Sequence, residues 1–308
     1  MSTLNNSINV IAAGTSVNLG TGTKGTKRFF KEAREFWLTP QGYTFSGVTD
    51  FTDEYVAQLI ADEKIIVLEG VNAIDPDNVE DSYEDIGRGV TSLATKGLYG
   101  MIMKFRQGEY FEKVLKSLSG TSRFDLLAVD GDGTVMGTFA SNGTSLKGFT
   151  LGEHQVLLSE GKFENNSTLQ RFKVQFLETD EFADPAMKYA DDSFNGRNAS
   201  PLNDIKLELT TPSDTDTSVT VKATYRQDGS VFTGAVFGQF IVKTNGTTTN
   251  PTGGDDSTTA GTYVLTGISA ISATDVVSIS LYDNSNNRAG ITVGGYAYKS
   301  STVSKTAV

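Results

Sequence analysis

Apolar and polar residues alternate with a period of two along much of the chain, which is the pattern of β-strands with one buried face. The segment 169–177 shows this clearly, because Phe172, Val174 and Phe176 alternate with charged or polar residues. Runs of Gly, Asn, Asp and Pro, which favour turns, separate such segments. The pattern predicts a mainly β fold built from many short strands.

Two segments have helical spacing instead. Residues 109–118 place their large apolar side chains on one face, and Asp53 is a candidate start of a second, shorter helix. Strands over 124–129 and 134–139 flank a turn at residues 130–133, which predicts a hairpin. We expect the N-terminal domain to be β-sandwich or barrel-like, with one or two short helices, since a helix packed across a hairpin forms a stable small core.

The chain length predicts more than one domain. A chain of 308 residues exceeds the size at which single hydrophobic cores usually stop growing. A Gly/Thr-rich start with few large apolar residues indicates a flexible arm that orders only against another chain, and a polar stretch near residue 190 indicates a linker. The predicted organisation is a flexible N-terminal arm over 1–27, a β-rich assembly domain over 28–185, a linker over 186–200 and a C-terminal domain over 201–308.

Short alternating segments continue through the C-terminal domain, about seven in roughly a hundred residues. Residues 205–209 and 219–225 each place apolar side chains on one face. This number of strands in this length predicts an immunoglobulin-like β-sandwich. The disulfide and the core tryptophan of antibody domains are missing from this segment, so the prediction concerns the architecture alone.

Charge and composition exclude several classes of function. The formal net charge is -11, from 37 acidic and 26 basic residues, and tight nucleic-acid binding, which needs clustered cations, is not expected. With no cysteine, neither a disulfide framework nor a thiolate metal site can form. Because the N-terminus lacks the blocks of a signal peptide and no segment is apolar enough for a membrane span, we expect a protein that stays in the cytoplasm until assembly.

Few residues offer catalytic or ligand-binding chemistry. His154 is the single histidine, which excludes zinc bound by several histidines, and no Gly-x-Ser-x-Gly nucleophile elbow accompanies it. Residues 130–134 open like a calcium loop, but Ser141 stands where the bidentate glutamate is required, which favours a hairpin turn. The glycine-rich residues 20–25 lack the spacing of a phosphate-binding loop. We therefore expect no catalytic residue, no cofactor, no metal site and no enzymatic activity.

The densest group of carboxylates lies between residues 75 and 85. Its members are Asp75, Asp77, Glu80, Asp81, Glu84 and Asp85. A solvated loop is the simpler interpretation, and a cation site or a charge contact with a neighbouring subunit is the sharper one. The sequence does not decide whether two of its carboxylates form a pair suited to glycoside hydrolysis, since the separation of two such groups is a three-dimensional property.

Two stretches resemble structural proteins from the virions of tailed bacteriophages. One spans residues 90–177 and contains Phe-Asp-Leu-Leu-Ala-Val-Asp at 124–130 and Leu-Lys-Gly-Phe at 146–149. The other, with Gly-Thr-Tyr-Val-Leu-Thr-Gly at 261–267, is similar to immunoglobulin-like appendages of those proteins. The resemblance implies a tail-tube subunit that self-assembles into rings around a DNA channel, with the immunoglobulin-like domain outside. It also implies a virion location, with copies of itself and other virion proteins as partners, DNA passing through the lumen, and no membrane.

Two other functions fit the same features. Within a virion, the protein would be a head decoration, ring or head-fibre protein, which its position on the capsid or the tail distinguishes. Otherwise the C-terminal domain would act as a carbohydrate-binding or adhesive module, which glycan binding by that domain alone would reveal. The acidic balance, the arm and the lack of a catalytic constellation favour a structural building block.

Overall fold

The computed structural model describes residues 4–5, 33–45, 51–85, 91–95, 97–107, 109–118, 123–157, 170–177, 181–182, 185–254 and 259–308. Within these residues the fold is mainly β, with two α-helices, which confirms the predicted fold class. The chain divides into two compact units. Unit 1 comprises Met1–Asp53 and Ile65–Ala199, and unit 2 comprises Glu54–Lys64 and Ser200–Val308.

Unit 1 contains fourteen strands among the described residues. They are β1 (Leu4–Asn5), β2 (Ala33–Pro40), β3 (Thr44–Phe45), β4 (Ile66–Leu68), β5 (Val71–Pro76), β6 (Ser82–Asp85), β7 (Thr91–Thr95), β8 (Gly100–Phe105), β9 (Phe124–Asp130), β10 (Val135–Phe139), β11 (Leu146–Lys147), β12 (Phe149–Leu157), β13 (Gln170–Phe176) and β14 (Pro185–Lys188). The described residues contain two helices, at the positions that the apolar spacing predicts: α2 (Glu109–Leu118) belongs to unit 1, and α1 (Asp53–Ala61) belongs to unit 2 except for Asp53.

The centre of unit 1 is β9, which is buried on both faces over almost its whole length. It pairs with β2 along one edge, and β10 and β12 share its other edge. From β12 the pairing continues through β13 and β8 to β5, while β14 and β1 follow β10. Side chains from these strands and Leu115 of α2 form one buried core, and the rings of Phe105 and Phe111 lie 5.1 Å apart.

The opposite face of β2 and β9 carries a second group of buried aromatic side chains. Phe194 makes edge-to-face contacts with Trp37 and Phe51, at centroid distances of 6.4 and 5.4 Å. Phe45 packs against Phe51 at 4.9 Å. Burying sheet faces on both sides removes large apolar areas from water, which is the main source of folding free energy.

The segment 186–200, predicted as a linker, instead belongs to the core of unit 1. It contains most of β14, and Lys188 is buried, with its Nζ 2.6 Å from Asp191 and 5.3 Å from the Phe194 ring centroid. A short 3₁₀ helix at Gly196–Asn198 follows. The polar composition suggested a linker because strand β10, which pairs with β14, and the aromatic partners of Phe194 lie far away in the sequence.

The predicted N-terminal arm over 1–27 lies outside the described residues, except for β1. Leu4 and Asn5 pair antiparallel with Lys188 and Met187 of β14. Within the described part of the chain, this pairing gives β14 a second neighbour beside β10.

Unit 2 contains ten strands among the described residues. They are β15 (Asn203–Leu209), β16 (Ser218–Tyr225), β17 (Phe240–Thr244), β18 (Thr247–Thr249), β19 (Thr262–Thr266), β20 (Val276–Asp283), β21 (Arg288–Ala289), β22 (Ile291–Val293), β23 (Tyr296–Ser300) and β24 (Val303–Thr306). One sheet has the order β19, β16, β15, β23, β22, and the other β18, β17, β20, β21, with β24 beside β20. A 3₁₀ turn at Phe237–Gln239 precedes β17.

The two sheets of unit 2 enclose a common apolar core, as a β-sandwich requires. Phe240 and Tyr263, from different sheets, place their rings 5.0 Å apart, and the Tyr263 hydroxyl donates to the Phe232 carbonyl at 3.1 Å. Unit 2 is therefore a β-sandwich of two five-stranded sheets in the described residues, and the immunoglobulin-like topology stays a prediction.

Helix α1 supplies a part of unit 2 from a distant place in the sequence. Glu63 forms an ion pair with Lys299 at 2.8 Å, and Asp62 lies 3.4 Å from Arg288. A Cβ atom at Gly290 would lie 2.6 Å from the carbonyl oxygen of Ala61, so the backbones approach closely there. Residues 54–64 were predicted as a part of the assembly domain, but these contacts group them with the sandwich.

Candidate assembly surface

The strands β5 and β8 continue past the unit 1 sheet as a two-stranded ribbon. We define the ribbon as residues 77–85, 91–95 and 97–99. The amides of Asp77 and Val79 donate to the carbonyls of Gly100 and Leu98, at 2.9 and 2.8 Å. Strands β6 and β7 then continue the antiparallel pairing as a sheet of their own. At about 3.3 Å per residue, the ribbon has a length of up to about 30 Å beyond the sheet.

Two glycines allow the backbones of the ribbon to approach closely. A Cβ atom at Gly97 would lie 2.2 Å from the Val79 carbonyl oxygen, and one at Gly100 would lie 2.5 Å from that of Asp77. The Gly97 amide also donates to the Asp81 carboxylate at 2.6 Å. At the base of the ribbon, no residue larger than glycine therefore fits at position 97 or 100 without a shift of the backbone.

The ribbon exposes apolar side chains. Tyr83 and Leu93 are cross-strand partners on one face, and their side chains are 62% and 50% exposed. Val79, nearer the sheet, is also exposed. A two-stranded hairpin is marginally stable in water without further packing. An exposed apolar pair on such a ribbon is a candidate contact for another molecule.

The structure divides the predicted carboxylate cluster along this ribbon. Asp75 forms an ion pair with Lys104, and Asp77 forms one with Lys173 at 2.7 Å. Asp81 accepts the Gly97 amide, while Glu80 and Glu84 are exposed on the ribbon. Among the described residues, no group of three or more carboxylates or histidines is arranged to hold a metal ion. The charge contact with a neighbouring subunit therefore stays a prediction for the ribbon.

The calcium-like residues 130–134 form the turn between β9 and β10. One carboxylate oxygen of Asp130 accepts the amides of Asp132 and Thr134, both at 2.9 Å. The Gly196 amide donates to the Gly133 carbonyl at 2.9 Å, which joins the turn to the 3₁₀ helix at Gly196–Asn198. The hairpin turn that the sequence favoured is confirmed, and its first aspartate stabilises it.

The remaining sequence candidates lie wholly or partly outside the described residues. His154 lies within β12, opposite Val174, and its side chain is not among the described parts. The glycine-rich residues 20–25 lie outside the described residues. Tyr83 and Leu93 were not singled out from the sequence, and the sole signal for their ribbon was the strand propensity of residues 89–106.

Two carboxyl groups in unit 1 have strongly perturbed acidity. Burial raises the pKa of Asp125 to about 6, although the Gly42 amide donates to this carboxylate at 2.8 Å. Its Oδ1 has no hydrogen-bond partner in the described part of the chain. Burial likewise raises the pKa of Glu35 to about 7, while the Trp37 indole donates to it at 3.5 Å. Both side chains are enclosed, with Asp125 fully buried, and their raised pKa values couple the stability of unit 1 to pH.

No family model, curated protein or solved structure matches the chain in sequence or structure comparisons. Neither of the two helices in the described residues is long and apolar enough to cross a membrane.

Proposed function

We propose that the protein is a structural subunit that assembles with copies of itself, and that the ribbon makes the contact. One observation carries the proposal: a ribbon that continues past its sheet with Tyr83 and Leu93 exposed on one face. Isolated ribbons of this kind gain little stability alone, so burying the apolar pair against a second copy would stabilise both the ribbon and the complex.

Within that class, we propose a tail-tube subunit of a tailed bacteriophage. The resemblance of residues 90–177 to virion proteins supports this assignment, and so does the acidic balance, because a net charge of -11 suits a channel through which DNA passes without binding. Unit 1, which carries the ribbon, would build the ring, and the sandwich of unit 2 would lie outside it. The protein would then be located in the virion.

The proposal is tested by the oligomeric state of the purified chain. We expect rings or tubes in electron micrographs and a mass above that of a monomer in sedimentation experiments. Replacing Tyr83 and Leu93 with serine removes the exposed apolar pair and should shift the protein to monomers, with an unchanged circular dichroism spectrum. A matched control replaces Val276 and Tyr296, which are similarly exposed on unit 2, and should leave assembly intact.

A monomeric wild-type chain at high concentration would overturn the assembly proposal. Assembly of the Tyr83→Ser/Leu93→Ser variant at wild-type affinity would show that the ribbon is not the contact. The finer assignment has its own test, since mass spectrometry of purified virions and tails should find this polypeptide in the tail. Its presence in heads alone would replace the tail-tube proposal with the head-protein alternative.

A further inference from the structure

The outer face of the β8 and β13 strands carries a basic pair at the end away from the ribbon. Arg171 begins the outward-facing row of β13 and lies opposite Lys104 of β8, and Arg106 follows two residues after Lys104. Opposite residues have Cβ atoms about 5 Å apart, and diagonal neighbours about 7–8 Å. We call Arg106 and Arg171 the basic pair, and both side chains are exposed.

The charges around the basic pair are only partly compensated. Asp75 forms an ion pair with Lys104, and Asp77 forms one with Lys173. Neither arginine has an ion-pair partner in the ranges that the structure describes. Like charges on adjacent strands repel each other, so an acidic group from another molecule would relieve this repulsion.

The ribbon has the opposite charge and lies at the opposite end of the same strands. Glu80 and Glu84 are exposed, and no ion pair of either is found within the described residues. The antiparallel pairing of β5 with β8 places Pro76, next to the ribbon, opposite Met101, and places Val71 opposite Phe105, next to the basic pair. Unit 1 therefore has an acidic end and a basic end along one strand axis.

We propose that the ribbon of one copy docks on the basic pair of a second copy, so that copies associate head to tail. This inference rests on the proposed self-assembly and names the surface that receives the ribbon. The two surfaces differ, so the contact is heterologous, and it produces rings or open filaments and not two-fold dimers. Exposed ion pairs add little affinity individually, but complementary charge sets the orientation of the partners and the rate of encounter.

Charge reversal in mixtures tests this contact. The variants Glu80→Lys/Glu84→Lys and Arg106→Glu/Arg171→Glu each place like charges across the contact, and we expect association at least about tenfold weaker than in the wild type. In an equal mixture, the ribbon of Glu80→Lys/Glu84→Lys has a charge complementary to the reversed surface of Arg106→Glu/Arg171→Glu. The unchanged acidic ribbon of the second variant is complementary to the unchanged basic pair of the first. The mixture should therefore assemble with alternating copies, to within about threefold of wild-type affinity.

Controls separate this contact from a change in folding or net charge. The variant Lys206→Glu/Lys222→Glu changes the charge of unit 2 by the same amount as the arginine reversal and should assemble normally. Circular dichroism spectra of all variants should match the wild type, and unfolding temperatures should match at a protein concentration too low for assembly, because association shifts the transition. Wild-type assembly should also weaken between 50 and 500 mM salt, test concentrations chosen because screening shortens the range of exposed charges.

The outcomes distinguish the two proposals. If the wild type assembles and both reversed variants also assemble, the head-to-tail contact is wrong and self-assembly stands. The same holds if the wild type assembles and the mixture of the two variants stays dissociated. A monomeric wild-type chain overturns the proposed function and this inference with it.

Discussion

Two buried carboxyl groups tie the stability of unit 1 to pH. Asp125 lies between Thr39 of β2 and Thr150 of β12, its direct cross-strand neighbours. Thr150 bonds to Lys147 and Glu181, each at 2.8 Å, whereas the Thr39 hydroxyl has no partner in the described residues. This polar row leaves the Asp125 carboxylate poorly compensated, which is why burial dominates its pKa.

Asp125→Asn should make unit 1 less sensitive to pH. In the unfolded chain this carboxyl titrates near 3.8, and in the folded state near 6. Between these values the folded state holds a proton that the unfolded state has lost, so the free energy of unfolding falls as pH rises from about 4 to 6. The variant should remove up to about 1.4 kcal/mol per pH unit from that slope. Urea denaturation across pH 4–7.5 measures it.

Glu35→Gln provides the matched comparison for this prediction. The pKa of Glu35 is raised from 4.5 to about 7, so its effect on the unfolding free energy extends to higher pH. The variant should flatten the slope up to about pH 7, whereas Asp125→Asn should act below about pH 6. Identical slopes for the wild type and Asp125→Asn between pH 4 and 6 would contradict the buried, raised pKa.

At the scale of elements, close backbone contacts fix the strands around β9. A Cβ atom at Gly137 of β10 would lie 2.2 Å from the Lys147 carbonyl oxygen and 2.8 Å from a methyl group of Leu127. We expect Gly137→Ala to lower the unfolding free energy by about 1–3 kcal/mol, since strand β11 would have to move. Gly131→Ala, in the adjoining turn with no atom within 4 Å, should change it much less. Equal effects in denaturant unfolding would contradict this close packing.

The elements that the sequence predicts well are those stabilised by local contacts. Helix α2 occupies 109–118 because its apolar face is continuous in the sequence, and the hairpin around residues 130–133 follows from its Asp and Gly residues. The linker prediction for 186–200 was wrong because Phe194 packs against Trp37 and Phe51, and β14 pairs with β10, all of which are distant in the sequence. The C-terminal domain has more strands than the roughly seven predicted, because the described residues also contain the short strands β18 and β24.

The candidate contact surfaces were harder to predict than the elements. The acidic residues of 75–85 were recognisable as a cluster, but their division into ion-paired and exposed members depends on the register of β5, β8 and β13. The basic pair needs the same register, because Arg106 and Arg171 are 65 positions apart in the sequence. The composition gives the net charge of the chain, whereas strand pairing determines which acidic and which basic side chains lie close together.

At the scale of the whole molecule, the chain does not divide at one point. Residues 54–64 interrupt the sequence of unit 1 and belong to unit 2. A fragment of residues 200–308 therefore lacks the Glu63 and Asp62 partners of Lys299 and Arg288, and the backbone that packs against Gly290. A boundary placed near residue 200 would omit a part of the sandwich.

A fused fragment tests this division. Joining residues 54–64 through a Gly/Ser linker to residues 200–308 restores the missing contacts, and we expect an unfolding temperature about 4–8 °C higher than that of 200–308 alone, which corresponds to about 1 kcal/mol. The same fusion with Asp62→Ala and Glu63→Ala should lose a part of the gain, because it keeps the Ala61 packing but not the ion pairs. Equal unfolding temperatures for the fusion and the bare fragment would show that α1 contributes nothing to the sandwich. Differential scanning calorimetry at one protein concentration decides among these outcomes, since association would otherwise shift the transition.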